Sequence, residues 1–138
     1  VVWAPESWRA VETAGLPAGL RLLTPAPAPF ADSAALRHAY DALAARLMAL
    51  ETAGLPRERL ILGLGAPALP AFAALGLLHG LGCPMLVEVD GPGRGETVAA
   101  AAGVVAAAQG VQFIATRRPR AVAAAVSGWL QATSGQLA

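Results

Sequence analysis

Short apolar runs recur along this sequence at intervals of about 25 to 40 residues, and each neighbouring pair is separated by a stretch with helical character. The runs occupy residues 20–23, 60–62, 85–89 and 111–115. A run of three to five apolar residues is too short for a buried helix and fits a strand covered on both faces. Parallel strands cannot be joined by a tight hairpin, and a helix between each pair supplies the crossover they need. The pattern predicts an α/β fold in which parallel strands alternate with the helices that cover them.

The clearest helix is expected over 33–53. Leu36, Tyr40, Leu43, Leu47 and Leu50 recur there at steps of four and three on one face, with Arg37, Asp41 and Glu51 away from it. Asp32 or Ser33 offers an N-cap oxygen, and Gly54 followed by Pro56 supplies the stop. Further helices are expected over 5–14, 68–81, 96–109 and 119–131, the last with Val122, Val126 and Trp129 on one stripe. Pro25, Pro27 and Pro29 mark a loop, as does Asp90-Gly91-Pro92-Gly93-Arg94-Gly95 between a strand and a helix. One domain is expected over 1–131, with 132–138 as a tail.

Composition narrows the functional classes. The chain is 138 residues long, 56% hydrophobic and 14% charged, which excludes intrinsic disorder. Its formal net charge is +1 and its arginines are scattered, so the field needed to gather a phosphate backbone is missing and no nucleic-acid partner is expected. Cys83, His38 and His79 form no spaced cluster for zinc, and a single cysteine cannot staple the fold. A reducing, cytoplasmic location is expected, with no metal and no cofactor. Leu60 to Val87 is free of Asp, Glu, Lys and Arg and long enough to span a bilayer, but Pro67, Pro70, Pro84 and five glycines would break a continuous helix, so no membrane span is expected. No basic region precedes an apolar stretch, as a signal peptide would require, and the start at Val1 suggests a piece of something longer.

Two segments, Leu55-Pro56-Arg57-Glu58-Arg59-Leu60-Ile61-Leu62 and Leu81-Gly82-Cys83-Pro84-Met85-Leu86-Val87, together resemble the C-terminal half of dihydropteroate synthase. Tyr40-Asp41 near the start of a long helix and the turn Ala53-Gly54-Leu55-Pro56 match the same layout, which runs from about Pro5 to Leu130. The resemblance implies part of a (β/α) TIM barrel of the pterin-binding type. It also implies where the family's chemistry would fall. The pterin-holding Asp of an Asp-Pro-Gly motif falls on Gly63, with Leu64 and Gly65 completing the triplet. The lysine of a Ser-Arg-Lys-Ser loop falls on Pro92, and a terminal Arg-Val-His falls on Ala115, Thr116 and Arg117. Glycine and proline supply neither the carboxylate that accepts the pterin's N–H groups nor a cation for the leaving diphosphate. No catalytic residue is therefore expected.

Several residues keep a functional and a plain structural reading side by side. Asp90, Gly91, Gly93, Arg94 and Arg117 would lie at neighbouring strand ends and form an anion site, or a shortened turn with solvated arginines. Glu88, inside an apolar strand, points into a polar barrel mouth or pairs with an arginine. His79 reads as a partner for a helix C-terminus, His38 as solvent-exposed, and Cys83 as a small buried hydrophobe. A partial barrel would leave strand edges and an apolar interior open, with Trp3, Trp8 and Trp129 as candidate contact residues.

Three functions fit this reading. The first is a non-catalytic, dihydropteroate synthase-like structural or partner module, working as a homo-oligomer or on another subunit. The second is a pterin-binding enzyme completed by residues outside the chain. The third is a small anion-binding α/β domain.

Overall fold

The protein is described here by a computed structural model that covers residues 2–3, 21–23 and 30–134. Five strands form one sheet: β1 (Val2–Trp3), β2 (Arg21–Leu23), β3 (Leu60–Gly63), β4 (Met85–Glu88) and β5 (Phe113–Ala115). Their order is β1-β5-β4-β3-β2 and every pairing is parallel, as the spacing of the apolar runs predicts. The first strand lies beside the last rather than beside the second. Among the described residues, four α-helices accompany the sheet: α1 (Ser33–Thr52), α2 (Leu69–Phe72), α3 (Glu96–Ala108) and α4 (Pro119–Ser134).

The strongest sequence expectation, α1, forms with its cap in place. Asp32 Oδ1 accepts the Ala35 N–H at 2.9 Å, and Leu36, Leu43 and Leu47 are buried. They meet Leu60, Leu62, Met85, Val87, Val89 and Ile114 in one core between helices and sheet. Because side chains alternate along a strand, Ile61 and Leu86 point to the opposite face. Both are 0% exposed, so the expected open apolar interior is not found at the centre of the sheet. Among the described residues, Met48, Leu69, Leu77, Val98, Val105 and Leu130 are large apolar side chains that reach solvent, and they lie on helices or on a 3₁₀ segment.

Other boundaries move for identifiable reasons. The helix expected over 68–81 divides into α2 and a 3₁₀ segment, Leu75–Leu81. The Gly76 N–H leaves the helical pattern and donates to Gln109 Oε1 at 3.0 Å, while the Tyr40 hydroxyl fills the space that a Cβ at Gly80 would need. Strand β5 starts at Phe113 rather than at 111, because the Val111 N–H closes the end of α3 on the Ala106 carbonyl. Gly110, at φ +83°, makes that left-handed helix end accessible. Helix α4 continues to Ser134, three residues past the expected end.

Trp129 on α4 is half-buried, and Trp3 lies in β1 in register with Ala115. Trp8, the helix expected over 5–14 and the proline loop lie outside the described residues. Among the described residues, no helix is long and apolar enough to cross a membrane.

Candidate binding cleft

Parallel strands bring their carboxyl ends to one side of a sheet, which is where α/β folds present ligands to loops and helix starts. Here the ends of β4 and β5 and the loop after β3 enclose a cleft of about 410 Å³. Ala66, Glu88, Asp90, Gly91, Pro92, Arg94, Arg117 and Arg118 line it. Of the residues expected to form an anion site, Asp90, Gly91, Arg94 and Arg117 therefore come together. Gly93 does not line the cleft; at φ +75° it sets the turn. Glu88 and Arg118 complete the charged lining.

Asp90 ties the two strand ends to each other. Its carboxylate accepts the Arg117 N–H at 2.5 Å, the Thr116 hydroxyl at 3.3 Å and Arg118 Nη1 at 3.2 Å. Thr116 Oγ1 in turn accepts the Arg118 N–H at 3.0 Å. Asp90 and Thr116 are both buried, so this network satisfies groups that would otherwise be costly to bury.

Arg94 is equally committed. Its Nη1 donates to the Val89 carbonyl at 3.1 Å and its Nη2 to the Pro67 carbonyl at 2.6 Å, and Cζ lies 5.6 Å from the Phe72 ring centroid. The guanidinium thus clasps the ends of β4 and of the β3–α2 loop. Gly91 leaves room for it: a Cβ there would come within 2.9 Å of Arg94 Nε.

Glu88 and Arg117 differ from these. The Glu88 carboxylate has no hydrogen bond and no ion pair among the described residues. Burial pushes its pKa up, the neighbouring Asp90 charge adds to the rise, and Arg117 and Arg94 partly offset it. The Arg117 guanidinium is exposed, also without a hydrogen-bond or ion-pair partner among the described residues. Glu88 thus follows the barrel-mouth reading rather than the paired one.

The remaining candidates take structural places. His79 Nε2 and the Gln109 carbonyl, at the C-cap of α3, are 2.6 Å apart, so His79 serves the end of a neighbouring helix. His38 is exposed. Cys83 is buried, and burial raises its thiol pKa despite the nearby Arg57. Among the described residues, no three His, Cys, Asp or Glu side chains are placed to hold a metal ion.

The architecture and the cleft's position define an α/β protein built as part of a TIM-type barrel, with its polar groups at the carboxyl ends of the strands. Its fold is that of the dihydropteroate synthases. The enzyme from Xanthomonas albilineans superposes with a TM-score of 0.65 at 24% identity, over 94% of this chain and 54% of the enzyme. The Coxiella burnetii enzyme gives 0.64 at 17% identity, over 83% and 53%. The Yersinia pestis enzyme gives 0.63 at 19%, over 95% and 56%. The chain therefore spans about half the length of these structures. No protein-family model matches the sequence, and no curated protein matches it.

Proposed function

We propose that this chain is a non-catalytic, dihydropteroate synthase-like domain that serves as a structural or partner module. What supports this is the chemistry at the strand ends. Gly63 closes β3, Pro92 follows β4 and Ala115 closes β5, at the positions where the resemblance puts a pterin-holding aspartate, a lysine and an arginine. Around them, Asp90, Arg118 and Arg94 are bound to the protein itself. An enzyme completed by residues outside the chain is the alternative. A complementing segment would bring other strand ends, and the three positions where the resemblance puts the anchor and its cations would still hold Gly63, Pro92 and Ala115. That weighs toward the non-catalytic reading.

The partner role draws support from the apolar side chains exposed on helices and on the 3₁₀ segment, Leu69, Leu77, Val98, Val105 and Leu130. The solved relatives are described with 7,8-dihydropteroate and with pteroic acid, which gives the test its probe. Calorimetric titration of the chain with 7,8-dihydropteroate is expected to show no saturable heat at ligand concentrations up to about 1 mM, the weak end of specific binding. Saturable one-to-one binding would overturn the proposal.

A further inference from the structure

Within the cleft, all charges but two are spoken for. Asp90 is held by a backbone N–H, a hydroxyl and Arg118, and Arg94 by two carbonyl oxygens and an aromatic face. The Glu88 carboxylate and the Arg117 guanidinium remain. They line the same cavity, are close enough to influence each other, and are not within the 4.0 Å of an ion pair. Opposite charges flanking a cavity without touching leave room for a ligand between them.

Their surroundings set the polarity of that ligand. Glu88 sits on the strand, half-buried, with the Asp90 carboxylate near it, so the inner end of the cleft favours a cation with N–H donors. Arg117 is exposed at the end of β5, so the outer end favours an anion that can accept its planar pair of donors. A volume of about 410 Å³ admits a small molecule and not a polymer. We infer that the cleft binds a small zwitterion, with an alkylammonium group on Glu88 and a carboxylate or equivalent acid group on Arg117. This inference stands apart from the non-catalytic reading: Arg117 falls on the motif's histidine position, but that reading rests on Gly63, Pro92 and Ala115.

The test is binding of an amino-acid series by the 138-residue chain, followed by NMR chemical shifts and calorimetry. The probes are glycine, 4-aminobutyrate and 6-aminohexanoate, with butylamine and butyrate as single-charge controls at matched ionic strength. At least one zwitterion is expected to saturate and to bind about tenfold or more tightly than either control, the effect of one added charge-assisted contact. Glu88→Gln should remove the advantage over butyrate, and Arg117→Gln the advantage over butylamine. Circular dichroism checks that both variants fold, and Arg117→Lys should restore part of the affinity. Equal binding of the zwitterions and the single-charge probes, unchanged affinity in both variants, or no saturation by any zwitterion would each overturn the inference. So would tighter binding of 4-aminobenzoate, whose amine is uncharged at neutral pH.

Discussion

Asp90 keeps only 8% of its surface in water, and a charge so placed is tolerated because three donors meet it. Removing the carboxylate strands Thr116 and the Arg117 N–H in a buried setting. Asp90→Ala is therefore expected to cost about 2–4 kcal/mol of unfolding free energy, the range for breaking a buried, charge-assisted network. Urea denaturation measures it, and a loss below about 0.5 kcal/mol, typical of a surface change, would contradict the network. Glu88 predicts the opposite sign. Its folded pKa lies above its unfolded one, so the native state binds the proton more tightly, and stability falls as pH rises from the ordinary glutamate value through the raised one. Glu88→Gln should flatten that fall and leave the variant more stable than the parent at neutral pH. A variant less stable than the parent at pH 7, or with an unchanged pH profile, would refute this. Of this chemistry the sequence revealed the parts but not their partners. Asp90, Arg94 and Arg117 stood out beside a Gly-Pro-Gly turn, whereas the Asp90–Arg118 pair joins residues on separate loops that no local period connects.

At the scale of elements, α3 and α4 approach closely because Gly103 presents no side chain to Val122. A Cβ at Gly103 would come within 2.7 Å of Val122 Cγ1. Alanine gains about 1 kcal/mol over glycine in a helix, while overpacking costs typically about 1–3 kcal/mol. Gly103→Ala should thus be neutral to destabilising in the parent and become stabilising in a Val122→Ala background. A double-mutant cycle by thermal or urea unfolding reads the coupling, and simple additivity would mean that the two helices do not meet there. Helix α1 and strands β3 and β4 were legible within a residue or two, because caps and periods are local signals. The division of 68–81 was not. It depends on Gln109 and Tyr40 reaching across from other helices, and neither contact leaves a trace in the period of the segment itself.

On the scale of the whole molecule, five parallel strands reproduce the architecture of about half a dihydropteroate synthase. If the chain serves as a partner module, apolar helix surface should be covered by a second protein or a second copy. Sedimentation velocity over a hundredfold concentration range is expected to show association that Leu77→Glu and Val105→Glu weaken, both positions being exposed. A single monomeric species throughout, unaffected by the substitutions, would count against self-association. The parallel α/β class could be read from the spacing of apolar runs alone, whereas the place of β1 beside β5 could not, since two residues carry no pattern of their own. The most direct measurement is turnover of a pterin diphosphate with 4-aminobenzoate by the 138-residue chain. With Gly63, Pro92 and Ala115 at the ends of the strands, the rate should equal that of a buffer control, because losing even one charged contact to a transition state costs a few kcal/mol. Product formation that rises in proportion to protein concentration would contradict the proposed loss of catalysis.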